Sequence, residues 1–208
     1  MLEVVDLYAP EGVESWAKIK GDGIHAVIHK ATEGIGFVDS KFAERRVAAP
    51  KAGLLWGSYH FGTASDPEEQ ARSFLDVVNP GAKDLIALDL ELNEHNPQNT
   101  MSIVQAERFV TYVYEELGRW PGLYAGHYLR EHLNGKPNPI LSNCRLWLAD
   151  WGTKPHLLPG WTEWKLWQFT GGEANDPNAR DVAGLYKKPD LSYFNGTEQQ
   201  LKQLFGAA

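Results

Sequence analysis

In the stretch Asp84-Leu-Ile-Ala-Leu-Asp-Leu-Glu91 an apolar run ends at two carboxylates. Short apolar runs of this kind, bounded by polar residues, read as strands buried on both faces, as in a parallel sheet. Side chains alternate faces along a strand, so Leu85, Ala87, Asp89 and Glu91 share one face and Ile86, Leu88 and Leu90 the other. Asp89 and Glu91 therefore point the same way, with Cα atoms about 6.6 Å apart at ~3.3 Å per residue. They sit at the carboxyl end of the strand, where α/β sheets and barrels build their sites. Two like charges this close raise each other's proton affinity. One keeps its proton near neutral pH while the other ionises.

The same grammar repeats outward from this stretch. Strands are expected over Val4–Leu7, Ile24–Ala31, Leu54–Phe61, Gly122–Gly126, Leu146–Trp151, Lys165–Phe169 and Asp190–Phe194. Between the first five strands and after the fifth lie helical patterns. Glu14–Lys20 is short and is broken by Gly21-Asp22-Gly23. A helix from about Ser40 to Ala52 has Asp39 as its expected cap. Asp66-Pro67-Glu68-Glu69 opens the next with an N-cap, a first-turn proline and acidic residues. Met101–Leu117 is strongly periodic and stops at Gly118. His127–Leu133 is short. Thr197 with Gln200 is a capping box for a last helix. The segments 152–164 and 171–189 carry no helical pattern. Eight strands in 208 residues, alternating with helices only at first, predict an α/β closed barrel with part of its helical ring missing. No linker or repeat divides it, so residues 1–208 are expected to form a single domain.

Composition narrows the function classes. A net charge of −7 argues against nucleic acid or an anionic membrane as partner. No segment is apolar enough to span a bilayer. The single cysteine, Cys144, rules out an internal disulfide and a multi-cysteine metal site, and is expected to be a small buried side chain. No cofactor or metal is called for. No secretory signal is expected at the start of the given sequence, since Glu3 and an expected strand follow Met1 at once.

Polar residues mark several strand ends: Asp6, Lys30, Tyr59, Asp89 with Glu91, Tyr124, Trp151, Gln168 and Asp190. A buried barrel interior has no use for four carboxylates, so their pooling at one rim needs a chemical reason. An acid and a carboxylate side by side are what glycoside hydrolysis requires. The competing reading is that Asp6 and Asp190 cap neighbouring loops and never meet Glu91.

Nearly end to end, the chain resembles glycoside hydrolase family 25, the N-acetylmuramidase lysozymes found among phage endolysins and secreted enzymes. The residues carrying this are Trp16-Ala-Lys-Ile-Lys with Gly23, Lys30-Ala-Thr-Glu-Gly34, Gly57-Ser-Tyr-His-Phe61, Leu88-Asp-Leu-Glu91, Leu123-Tyr124, Trp147-Leu-Ala-Asp-Trp151, Leu166-Trp-Gln-Phe169 and Asp190-Leu-Ser-Tyr-Phe-Asn-Gly196. Each fragment is weak alone; their order is specific. The resemblance implies an irregular TIM-like (β/α)5β3 barrel. It implies cleavage of the β-1,4 bond between N-acetylmuramic acid and N-acetylglucosamine in peptidoglycan. The chain is expected to be a monomer and, as a departure from many relatives, to carry no appended wall-binding module. Action is then on the bacterial wall, after release by a helper such as a phage holin. Glu91 matches the family's proton donor and Asp89 the carboxylate assisting at the anomeric centre. Asp6 and Asp190 match two further acidic positions. Tyr59, Tyr124 and Trp151 match sugar-contacting aromatics, and Phe61 on the face of Tyr59 is placed with them. Lys30 and Gln168 are expected either to hydrogen-bond the glycan or to hold the carboxylates. The chain departs from the family in its first loop, Asp6-Leu-Tyr-Ala-Pro-Glu-Gly12, where Val-Ser and a Gln-Gly turn are usual.

Three rivals remain. A family 18 chitinase signature nearly fits Asp84 to Glu91, but Ala87 occupies its middle acidic position. A barrel metalloenzyme using Asp6, Asp89, Glu91 and His60 requires His60 inside, whereas alternation turns it away from Tyr59. A silent glycan-binding barrel has no need of the acid pair.

Overall fold

The computed structural model describes residues 1–207. Its strands are β1 (Leu2–Leu7), β2 (Ile24–Glu33), β3 (Phe37–Val38), β4 (Leu55–Phe61), β5 (Leu85–Leu90), β6 (Gly122–Ala125), β7 (Arg145–Ala149), β8 (Leu166–Gly171) and β9 (Asp190–Phe194). Its helices are α1 (Trp16–Gly21), α2 (Phe42–Lys51), α3 (Pro67–Val78), α4 (Ile103–Leu117), α5 (His127–Leu133) and α6 (Glu198–Leu204). The sheet order β1-β9-β8-β7-β6-β5-β4-β2 closes on itself through β1–β2 pairing, giving an eight-stranded barrel. Five strand–helix units are followed by three strands joined by loops, as the resemblance implies. β3 is additional: it forms a short antiparallel arm on β2 that the alternation pattern did not announce.

One strand breaks the expected parallel arrangement. β9 runs antiparallel to both β1 and β8. That reversal brings the first residue of β9, not its last, to the rim that holds the carboxyl ends of the other strands. Asp190 is that residue, and it sits opposite Asp6 in the β1–β9 register.

The face assignments of β5 hold. All of its residues are buried. Ile86, Leu88 and Leu90 pack outward with Phe74 of α3 and Phe109 and Val110 of α4. Leu85 and Ala87 face the barrel interior with Val4, Ala26, Ile28, Leu166 and Phe194. Leu201, Leu204 and Phe205 belong to that same interior cluster. The last helix is therefore the plug of the barrel's lower mouth.

Caps explain the helix limits. Asp66 accepts from the backbone N–H of Glu68 and Glu69 and starts α3. Ser102 and Gln105 form a capping box, so α4 begins at Ile103, after Met101. Gly118, at φ 66°, ends it in the left-handed conformation. Asp39 does not cap α2, contrary to expectation: that helix begins at Phe42 without a side-chain cap. Asp39 instead takes the Lys41 N–H on one oxygen and the Ala9 N–H on the other, both at 2.8 Å, tying the first loop to α2. Cys144 is buried, as expected. His60 is wholly buried on the outer face, hydrogen-bonded to Thr32 and Gln70 and stacked on Phe109.

Candidate active site

The upper mouth of the barrel opens as a cleft of about 370 Å³. Asp6, Lys30, Tyr59, Phe61, Asp89, Glu91, Tyr124, Trp151, Gln168 and Asp190 all line it. The structure thus gathers every site residue expected from sequence. Asp6 and Asp190 do not serve as isolated loop caps.

Gln168 is the hub of the cleft floor. Its side chain is almost wholly buried. Its Oε1 accepts from the Tyr124 hydroxyl at 2.8 Å and from Trp151 Nε1 at 2.9 Å. Its Nε2 donates to both oxygens of Asp6 at 3.1 Å and to Asp190 at 3.4 Å. With two donors on one end and two carboxylates on the other, the amide has one satisfying orientation. Gln168 therefore holds carboxylates, one of its two expected roles. Trp151 lies beyond the end of β7, not within it, and is half exposed. Its indole fits because residue 171 is glycine: a Cβ there would stand 2.2 Å from the ring. Tyr124 lines the cleft from its floor. It is buried, with its hydroxyl committed to Gln168 and its ring edge-on to Trp147 at 4.8 Å, so it shapes the floor.

Lys30 does not bond to Asp89 or Glu91. Its ammonium pairs with Glu33 and lies 4.8 Å from the centre of the Phe61 ring, 5.7 Å from Phe37 and 5.9 Å from Tyr8. Its charge still favours the ionised forms of Asp89 and Glu91.

Burial and mutual repulsion dominate the titration of the carboxylates. Glu91 is pushed up to about 7, by burial first and then by Asp190 and Glu94. Asp190 is pushed up to about 6 by burial and by Glu173. Asp89 is raised well above the usual carboxylate range by burial and by Glu91. Asp6 is raised similarly by burial and by Asp190, with the Gln168 hydrogen bond opposing. The cluster therefore retains protons into the neutral range. One atom stands out: Asp89 Oδ1 is buried and accepts no hydrogen bond among the described residues. An unpaired buried carboxylate oxygen is unfavourable unless something else supplies the donor.

Sequence reading missed Tyr8, Glu11, Glu33, Glu94 and Trp147, which also line the cleft. Glu33 lies three residues after Lys30 in a quoted motif, which was an available signal. Trp147 carried one too, by sharing the β7 inward face with the line to Trp151. Glu11 and Glu94 sit in loops, where no periodicity tells direction.

An acid pair at the mouth of a closed barrel, Asp89 buried and Glu91 half-buried, flanked by exposed aromatic surface, is the arrangement of a glycosidase site. Comparison with known proteins agrees. The family model of glycosyl hydrolases family 25 matches residues 5–176, so the chain belongs to that family and is a glycoside hydrolase of the lysozyme class. Lysozyme M1 of Streptomyces globisporus is 26% identical over 212 residues, covering 96% of this chain and 70% of its own length. The autolytic lysozyme of Clostridium acetobutylicum is 28% identical over 194 residues, covering 92% of this chain. This chain spans 55% of that relative's length. Among solved structures, the bacterial lysozyme from Streptomyces coelicolor superposes with a TM-score of 0.84 at 25% identity, covering 98% of this chain and 96% of its own. The muramidase from Trichobolus zukalii gives 0.81 at 26% identity, with 99% of each chain covered. Asp190 lies beyond the residues matched by the family model.

Proposed function

We propose that this chain is a peptidoglycan muramidase that cleaves the β-1,4 bond between N-acetylmuramic acid and N-acetylglucosamine, with Glu91 as general acid and Asp89 assisting at the anomeric centre. Family membership and the lysozyme names of its relatives support the substrate. The observation that carries the mechanism is the contrast within the acid pair. Glu91 titrates near 7 and retains a transferable proton, while beside it Asp89 keeps one buried oxygen without a donor.

An acetamido N–H of the substrate would satisfy that oxygen. The acetamido carbonyl oxygen is then aimed at the anomeric carbon. Glu91 passes its proton to the glycosidic oxygen as the C–O bond breaks, and the acetamido oxygen bonds to the anomeric carbon. The resulting cation acidifies the acetamido N–H and favours the ionised form of Asp89. Water then attacks the anomeric carbon, losing a proton to the Glu91 carboxylate, and the acetamido ring reopens. Net retention of configuration follows. Asp6 and Asp190, fixed by Gln168, add negative potential beneath the developing charge. Trp151, Tyr59 and Phe61 supply sugar-facing aromatic surface. The site of action is the bacterial cell wall, and the chain works as a monomeric single barrel. Among the described residues, no helix is long and apolar enough to cross a membrane.

The test is digestion of purified peptidoglycan, borohydride reduction, and mass spectrometry of the soluble fragments. Reduced muramitol ends are expected. Glucosaminitol ends would reverse the register of the glycan in the cleft. Cleavage of chitin oligomers with no release from peptidoglycan would defeat the muramidase reading.

A further inference from the structure

Among the described residues, Glu11 is the strongly perturbed carboxyl of the cleft that this mechanism leaves unused. It lines the cleft from the loop after β1 and is partly buried. That loop is held from several directions. The buried Arg45 of α2 donates to the backbone carbonyls of Tyr8 at 2.9 Å and Glu11 at 2.5 Å. Arg45 is itself set by His29, which donates from Nδ1 to the Lys30 carbonyl and accepts the Arg45 N–H on Nε2. Asp39 takes the Ala9 N–H. On the far side the Tyr186 N–H donates to the Gly12 carbonyl at 3.1 Å, and the Tyr186 ring lies where a Cβ on Gly12 would stand. Glu11 is thus a side chain on a fixed mount, which suits recognition better than a mobile surface acid.

Its two oxygens differ. Oε2 accepts the Tyr8 N–H at 2.8 Å. Oε1 has no hydrogen-bond partner among the described residues. The nearby guanidinium of Arg45 is spent on backbone carbonyls and does not pair with the carboxyl. We propose that Glu11 is a substrate-contacting residue of the cleft that donates a hydrogen bond from Oε1 to an oxygen acceptor of the bound glycan, a sugar hydroxyl or an N-acetyl carbonyl. This rests on the glycan-cleaving reading above and extends it to a residue outside the acid pair.

The donor role follows from the surroundings. The charged and titratable groups around Glu11 are Tyr8 on its own loop, Asp6 on β1, Tyr59 on β4, Asp190 on β9, Arg45 on α2 and Lys187 before β9. Burial is the largest influence and Asp190 adds to it, against the Tyr8 N–H, Arg45 and Lys187, so the carboxyl is pushed up to about 8. At neutral pH it is a neutral acid with a hydroxyl proton to give. A purely structural role would behave oppositely, because the Tyr8 N–H is held more tightly by a carboxylate than by an acid.

The experiment is calorimetric binding of a soluble tetrasaccharide of alternating N-acetylglucosamine and N-acetylmuramic acid, at pH 6.5 and pH 9. It uses Glu91→Gln protein, in which cleavage and the Glu91 titration are both removed. In that background, adding Glu11→Ala is expected to raise Kd roughly three- to tenfold at pH 6.5, the range for one net hydrogen bond. Without a change at Glu11, Kd is expected to rise by a similar factor between pH 6.5 and pH 9 as Glu11 ionises. Adding Glu11→Gln, which keeps a donor at both pH values, is expected to hold Kd within about twofold of the Glu91→Gln protein at pH 6.5. Drift from Asp6, Asp190 or Lys187 would persist in Glu11→Gln and is subtracted by it. An unchanged Kd for Glu11→Ala, or a pH response in Glu11→Gln as large as that of the Glu91→Gln protein, overturns the assignment while leaving the muramidase reading intact. Failure of the Glu91→Gln protein to bind the tetrasaccharide at either pH overturns both.

Discussion

The two ends of the barrel are built on the same inward faces of the same strands and have opposite character. At the lower end Val4, Ala26, Leu85, Leu166 and Phe194 close over Leu201 and Leu204 of α6 and Phe205 just after it. A few residues further along, the same faces present Asp6, Lys30, Asp89, Gln168 and Asp190. The lower end satisfies burial fully and stabilises the fold. The upper end crowds acids that repel one another and leaves a buried carboxylate oxygen unpaired. One half of each strand carries stability and the other half spends some of it on chemistry.

That contrast can be broken most sharply at Glu91. Glu91→Gln is expected to lower turnover by about 10²–10⁴-fold, the usual contribution of a positioned general acid, while leaving the fold intact. Rates of the purified variant on peptidoglycan, with its unfolding midpoint, check this. More than a few per cent of the parent rate would remove Glu91 as the acid. Leu201→Ala, at the other end, is expected to destabilise by about 3 kcal/mol through cavity formation, lowering the unfolding midpoint by roughly 6–12 °C. Turnover per folded molecule should stay within about twofold of the parent, as its cavity lies at the far mouth. Loss of activity without loss of stability would contradict the division between the two ends.

Dependence on pH sharpens the same point. Glu91, Asp190 and Glu11 have folded-state values of about 7, 6 and 8, above their ordinary 4.5, 3.8 and 4.5. The folded chain then binds more protons than the unfolded one between about pH 4 and 8, so stability falls as pH rises through that window. The unfolding midpoint is expected to be higher at pH 5 than at pH 8.5. Glu91→Gln should recover about 3 kcal/mol at pH 8.5 and nothing near pH 4, as denaturant titrations at both pH values would show. The rate has the same origin: kcat/KM should fall about tenfold per pH unit above 7 as Glu91 loses its proton. A smaller effect is expected at the hub. Gln168→Leu should reduce kcat/KM roughly tenfold by releasing Asp6, Tyr124 and Trp151, with the larger share in kcat. An equal loss confined to KM would recast Gln168 as a glycan contact.

By itself the sequence determined the strand faces, the alternation that closes a barrel and runs out of helices, the caps at Asp66 and Thr197, and the acid pair at the end of β5. Those are local properties: the period of two along a strand and the chemistry of a cap travel with the chain. The cleft residues that were legible in it were so for the same reason, each standing at or just beyond a strand end. Tertiary structure alone decided what they do to one another. The antiparallel course of β9 puts Asp190 opposite Asp6, and a strand's direction is set by its partners rather than by its own residues. Gln168 became the hub because side chains from β1, β6, β9 and the segment after β7 converge on one amide. Asp39 left its expected cap for the Ala9 N–H, and Glu11 entered the cleft, because loops carry no period from which direction can be read. The raised proton affinities belong to this level too, since burial and the distance between charges exist only once the barrel is closed.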